Sequence, residues 1–330
     1  MTASPQATGT PAAAAPRRNC RPGRDEPTRR EWLAPFQVDV RLTLSVHRRG
    51  GGDPTHRVDA EGALWRTSLT PDGPGTLRVT SRRGPEGTLV IGQAWGAGAQ
   101  WLLDSLPAQV GAQDDTSGFA PADLVVRELA SRYGGLRVGR SGRVFEALVP
   151  AVLEQKVVGL EAHRAWRMLL RAFGDPAPGP APRGMRVFPP PEAWARIPSW
   201  AWHRAGVEGV RARTIMGAAR VASRLEQLVD TDPAQADRRL RSMPGIGPWT
   251  SAEIRQRAAG DADAVSVGDY HLPTMVGWTL AGRVTDDAGM LELLAPYAGH
   301  RYRVTRLIEL GGTAPPRRGP HLSVRDYRAF

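Results

Sequence analysis

The residues of this chain best suited to chemistry are one carboxylate and the glycine turn that precedes it. Asp269 closes the stretch Val265-Ser266-Val267-Gly268-Asp269-Tyr270, twenty-two residues after Gly247 of Met243-Pro244-Gly245-Ile246-Gly247-Pro248-Trp249-Thr250. A carboxylate fixed beside a reacting carbon stabilises positive charge that develops there, and it orients or deprotonates an attacking water. Gly245 and Gly247 permit a tight reversal with no Cβ in the way. Pro248 suits the first turn of a helix, where no N–H is needed. With helix-like runs over residues 234–242 and 249–259, the segment reads as a helix–hairpin–helix. Its bare N–H groups and helix N-terminus attract a phosphate. Plainer readings exist: a loop between helices, and an aspartate that merely caps the helical text after Tyr270-His271-Leu272. The combined spacing favours the chemical one.

The text LRSMPGIGPWTSAEIRQRAAGDADAVSVGDYHLP resembles the helix–hairpin–helix (HhH-GPD) DNA glycosylases, and among them the DNA-3-methyladenine glycosylase II, or AlkA-like, branch. The resemblance extends upstream through FEALVPAVLEQKVVGLEAHRAWRMLLRAFG and VEGVRARTIMGAARVA, and downstream through LAPYAGHRYRVTRLIEL. It spans residues 119–312 and is weaker over 36–118. It implies a DNA glycosylase that hydrolyses the N-glycosidic bond of alkylated, 3-methyladenine-type bases and so starts base-excision repair. The implied partner is double-stranded DNA containing damaged bases. Asp269 matches the family's catalytic aspartate. The hairpin residues Gly245, Gly247, Trp249 and Thr250 match its DNA-binding turn, whose carbonyls in the family often hold a monovalent cation. No other cofactor and no metal is implied.

Bifunctional relatives attack the sugar with a lysine just after the hairpin. Here that position is Trp249, and the only lysine of the chain is Lys156. The expectation is therefore a monofunctional enzyme that uses water. The family's wedge, inserted into the duplex from the turn near Gln155, aligns with Lys156 and Val157, a cation where relatives carry an apolar side chain. Base-stacking candidates are Tyr270, Trp278 and Trp202, with Trp200, Tyr297 and Tyr302 behind them. The family's stacking tryptophan on the last helix has no counterpart in Leu307-Ile308-Glu309. Arg301, Arg303 and Arg306 suit either phosphate contacts or ion pairs, and Asp261 and Asp263 read as solvated. Two other readings are a non-catalytic DNA-binding hairpin protein, which needs no such carboxylate, and an oxidised-base glycosylase with lyase activity, which needs the missing lysine.

The elements that must position these residues follow from patterning. Residues 1–34 are rich in Ala, Pro, Thr and Arg and lack large apolar residues before Trp32, so they read as a disordered basic tail. From 35 to 118 a small α+β antiparallel-sheet domain is expected. Period-two alternation from Val38 to Val46 predicts a strand. Further strands are predicted near 63–67, 76–80 and 88–91, and a helix near 101–106. From 119 to 330 helical periodicity dominates, interrupted by a Pro-rich excursion over 174–191. The fold class is thus mainly α with a small N-terminal sheet. A net charge of +11 suits an anionic partner. The single cysteine, Cys20, excludes an internal disulfide or a cysteine-ligated cluster within the chain. No apolar run approaches the ~20 residues a membrane span requires, and no signal core opens the sequence. A monomeric, cytoplasmic, nucleoid-associated protein is the expectation.

Overall fold

Residues 26–316 are described by the computed structural model. Strand β1 (Thr28–Ala34) is followed by a short helix α1 (Val40–Leu44), then β2 (His56–Val58), β3 (Leu64–Thr70), β4 (Gly73–Gly84), β5 (Gly87–Trp95) and helix α2 (Ala99–Gln109). The five strands form one antiparallel sheet in the order β1-β5-β4-β3-β2. Helix α2 lies across it, with Leu102, Leu103 and Leu106 buried among Leu77, Val79, Val90 and Ala94. The approach is close enough to require a glycine on β5. A Cβ on Gly92 would stand 2.7 Å from Leu106 and 2.9 Å from Leu103.

Two expectations fail here. Residues 28–34 are not tail: β1 pairs with β5 from Thr28↔Ala94 to Ala34↔Thr88. Among its residues only Ala34 is buried, so an edge strand of this kind carries almost no apolar signal. The rest of the expected tail, residues 1–25, lies outside the described residues. The alternating segment from Val38 is also not a strand. Asp39 Oδ1 accepts from Leu42 N at 2.9 Å and caps α1. The buried residues of α1 are Val40, Thr43 and Leu44, a helical spacing. Packing under the sheet selects the period that the short alternation left ambiguous.

The helices continue with α3 (Leu124–Arg132), α4 (Val144–Leu153), α5 (Gly159–Phe173), α6 (Pro191–Ala195), α7 (Ser199–Ala205), α8 (Gly209–Arg220), α9 (Ala222–Glu226), α10 (Pro233–Arg241), α11 (Pro248–Ala258), α12 (Leu272–Ala281), α13 (Asp287–Leu294) and α14 (Arg301–Gly311). Helix α4 is buried on nearly every side and forms the axis of one core with α5, α7, α8 and α11. A second core joins α3, α12, α13 and α14. The Pro-rich excursion stays irregular, as its prolines require, and covers the stacked pair Trp65–Trp95, whose rings lie 5.5 Å apart. Among the described residues no helix is long and apolar enough to cross a membrane.

Sheet and helices meet through buried charge. Glu146 of α4 accepts from Ser68 Oγ (2.6 Å) and Arg66 Nη2 (3.2 Å), while Arg66 Nη1 donates to Gln109 (2.8 Å). Trp166 Nε1 donates to Asp53 Oδ1 at 2.9 Å. Arg257 of α11 reaches back to the carbonyl of Val46 at 3.1 Å. In this setting burial pushes His56 down to about 4, against the partial support of Asp53 and with further depression by Arg66. His47 is lowered for the same reason, burial first and the neighbouring arginines second.

A histidine held neutral in the fold takes up its proton first in the unfolded chain. Its contribution is therefore intact above its usual 6.5 and is lost as pH falls from there to about 4. The unfolding free energy should fall across that interval, with His56 accounting for up to about 3 kcal/mol. Denaturant titrations at stepped pH check this: His56→Gln should flatten the slope whatever its absolute stability, and an unchanged slope would contradict the assignment.

Candidate active site

Helix α10 is started by Asp232, whose Oδ1 accepts from Gln235 N at 3.0 Å, and by Pro233. It ends before Ser242, and the chain reverses through Met243–Gly247 into α11. Gly245 makes the turn at φ +86°, and a Cβ there would overlap the Thr214 hydroxyl of α8. Ile246 is buried in the helical core and anchors the turn from beneath. Pro244, Gly245, Gly247 and Pro248 are exposed. Gly247 is extended and serves as the cap residue of α11, with Pro248 at its first position. The N–H groups of Trp249 and Thr250, in the first turn of α11, therefore have no partner within the helix. The helix–hairpin–helix is as the glycines and prolines predict.

A second turn is fastened to the first. After α4, Gln155 Nε2 donates to Gly245 O at 2.9 Å and to Thr250 Oγ1 at 2.8 Å. The turn before α5 and the hairpin are thereby one unit, although 90 residues separate Gln155 from Gly245. Lys156 follows at φ 53°, and among the described residues it is the one non-glycine with positive φ. It is exposed, and Val157 beside it is half-buried.

Asp269 is held by three donors. Trp249 Nε1 donates to Oδ2 at 2.9 Å, and the N–H groups of His271 (2.8 Å) and Leu272 (2.9 Å) donate to Oδ1. The capping and chemical readings thus meet in one side chain: Oδ1 satisfies the start of α12, whose dipole favours an anion, while Oδ2 keeps a free lone pair. The loop leading to it is tied to α11. Gln256 Nε2 donates to Ala264 O (2.9 Å) and Ser266 Oγ (3.0 Å), and Ser266 Oγ donates to Glu253 Oε1 (2.7 Å). Gly268, at φ +91°, donates its N–H to both carboxylate oxygens of Asp287 at 3.1 Å. Asp269 itself is half-buried between exposed Gly268 and Tyr270.

The other expected residues separate. Tyr270 is 77% exposed and sits edge-on to His271. Trp278 is half-buried on α12. Trp202 is buried in the helical core, 5.9 Å from the Trp194 ring, so its faces are occupied by protein and it does not line an open pocket. Tyr297 donates to Asp123, and Tyr302 is buried. Arg301, Arg303 and Arg306 are committed to Asp263, Asp114 and Glu309. Asp261 and Asp263, expected to be solvated, are instead paired with Arg255 and Arg301. Sequence reasoning missed the clamp by Gln155 and the indole bond of Trp249, a residue it placed only in the DNA-binding turn. A cavity of about 410 Å³ opens elsewhere, at the C-terminal end of α11, between the 113–117 loop, the start of α10 and Gly299-His300. Three of the four acids on its wall, Asp114, Asp261 and Asp263, are paired with arginines.

No protein-family model matches the chain. It is 33% identical over 155 residues to a probable bifunctional transcriptional activator/DNA repair enzyme AlkA of Mycobacterium tuberculosis, covering 46% of this chain and 30% of that protein. It is 29% identical over 158 residues to a DNA-3-methyladenine glycosylase of Bacillus subtilis, covering 47% of this chain and 52% of that one. The chain thus spans about half or less of the curated relatives it matches. In fold it is similar to a 3-methyladenine DNA-glycosylase from Archaeoglobus fulgidus, with a TM-score of 0.70 at 21% identity, covering 84% of this chain and 97% of the other. Over about half its length the chain is thus similar in sequence to two bacterial proteins named for AlkA and for DNA-3-methyladenine glycosylase, and over most of its length it shares the fold of the archaeal glycosylase.

Proposed function

We propose that the protein is a monofunctional DNA glycosylase that removes alkylated bases of the 3-methyladenine type from double-stranded DNA, acting as a monomer on the nucleoid in the cytoplasm. The observation that carries this reading is Asp269, held beside the hairpin by the Trp249 indole and two backbone N–H groups with one lone pair of Oδ2 left over. The N–H groups of Gly245, Gly247, Trp249 and Thr250 take a backbone phosphate. A monovalent cation fits the same turn. The carbonyls of Met243 and Gly245 each accept one hydrogen bond, from Ile246 N and Gln155 Nε2, and each keeps a second lone pair for the ion. No cofactor is needed for the chemistry.

The target base leaves the stack at a cost of a few kcal/mol, least for a damaged pair. Tyr270 and Trp278 are the accessible aromatics nearest Asp269 in the chain and serve as its stacking partners. As the N-glycosidic bond breaks, positive charge grows on the anomeric carbon and Asp269 stabilises it. Water then adds to that carbon and gives up its proton to the carboxylate or to solvent. An N-alkylated purine already carries positive charge and departs without strong acid assistance. Trp249 fills the place at the head of α11 where a lyase would carry its lysine, and its N–H is spent on Asp269. We also read the sheet with α1 and α2 as a supporting module for the helical body.

Three outcomes are expected. Incubated with methylated duplex DNA, the protein should release 3-methyladenine or 7-methylguanine, detected by mass spectrometry. Asp269→Asn should lower release by at least about 10²-fold while DNA binding persists. Release by that variant at the wild-type rate would sink the assignment. Trp249→Phe keeps the ring bulk but removes one donor worth ~1 kcal/mol, so kcat should fall roughly fivefold with KM little changed. An unaltered kcat would reduce Trp249 to packing.

A further inference from the structure

We infer that Lys156 captures the abasic product covalently, its Nζ condensing with the C1′ aldehyde of the base-free deoxyribose. This capture rests on the glycosylase reading for its biological substrate, but as chemistry it requires only abasic DNA.

The first reason is chemical. Of the 44 lysine and arginine side chains, Lys156 is the one amine. A guanidinium stays protonated in proteins and cannot act as a nucleophile, whereas an amine that loses its proton can. The second is conformational. Lys156 occupies the left-handed region at φ 53°, which a side-chain-bearing residue rarely adopts without support from its surroundings. The turn is held there because Gln155, immediately before it, is bonded to Gly245 and Thr250. The third is positional. Thr250 adjoins Trp249, and Trp249 holds Asp269. The turn that carries Lys156 is therefore bonded to the same hairpin whose Trp249 fixes the carboxylate. Finally, the amine is available. Lys156 is exposed and among the described residues forms neither a hydrogen bond nor an ion pair, and the neighbouring acid Glu154 is taken by Arg49 and His163.

The step balances without any further reactant. The neutral amine adds to the aldehyde of the ring-opened sugar, a C–N bond forms, and the carbonyl oxygen leaves as water, giving an imine. Hydrolysis reverses it and returns both the lysine and the aldehyde. The imine, once protonated, keeps a positive charge beside the DNA phosphates. Capture comes from the turn before α5 and not from the head of α11, which Trp249 occupies. Its consequence is retention: the abasic site stays covered until water releases it.

The test uses the full-length protein and duplex DNA with a preformed abasic site, treated with borohydride, which reduces the imine to a stable secondary amine. A protein–DNA adduct is expected, with its mass mapping to the peptide containing Lys156. Lys156→Arg keeps the positive charge but cannot form an imine. At saturating protein, with binding to the abasic duplex measured in parallel, it should lower the adduct by more than about tenfold. An adduct mapping to another amine, an undiminished adduct in Lys156→Arg, or no adduct from wild-type protein that binds the duplex would each overturn the inference. Because the abasic site is preformed, the outcome does not depend on base release. A protein that releases bases but is not trapped loses only this inference, and one that is trapped but releases no base keeps it and loses the proposed reaction.

Discussion

A carboxylate that answers a developing cation has to be fixed in place and yet keep an oxygen open. The hydrogen bonds to Asp269 reconcile these demands, and much of the helical body is arranged to make them. Two donors come from the start of α12, so the carboxylate is placed by the same contact that begins that helix. The third comes from α11, so the distance between the two helices is set by an indole of fixed length. Moving either helix would misplace the oxygen and leave helical N–H groups unsatisfied. Site geometry and local folding are therefore penalised together.

Support for this arrangement reaches inward in layers. Glu253, Gln256 and Ser266 bind the loop before Asp269 to α11. Burial raises Glu253, opposed by the adjacent Arg257, and Arg257 in turn reaches Val46 below the sheet. On the other flank, Arg49 holds Glu154 far down, to about 2, after burial alone would have raised it. Glu154 ends α4 and precedes Gln155, so the turn that clamps the hairpin grows from a buried ion pair. Breaking one member of such a pair is expensive because the other charge is left in a poor solvent. The segment between α1 and β2, which carries Val46 and Arg49, thus supports the site without touching it.

Legibility in the sequence followed the range of the interactions. The hairpin could be read because Gly245, Gly247 and Pro248 act through their own backbone restrictions, and Asp269 because its spacing from that hairpin and its local cap both lie within a short stretch. Strands β3, β4 and β5 and the helices from α3 onward carried clear periods. The indole bond of Trp249 could not be read, since it depends on how α12 returns to α11. Nor could the clamp by Gln155, whose partners lie 90 and 95 residues away. The α1 segment misled because five alternating residues fit a strand as well as a helix until packing chooses. Trp202 illustrates the weakness of residue type alone: a tryptophan suits a base pocket and a core equally, and here Trp194 and its neighbours claim it.

The sheet carries one further implication. It is open, with β1 and β2 as its two margins, and an open margin offers unpaired N–H and C=O groups to any passing strand. On one side β2 is only three residues long. On the other, β1 presents Arg29, Arg30 and Glu31, with Arg30 drawn to Asp104 and Arg29 to Glu31. Shortness guards the first margin and alternating charge the second. The same residues that hid β1 from a hydrophobicity pattern thereby discourage the protein from templating sheet growth with its own copies.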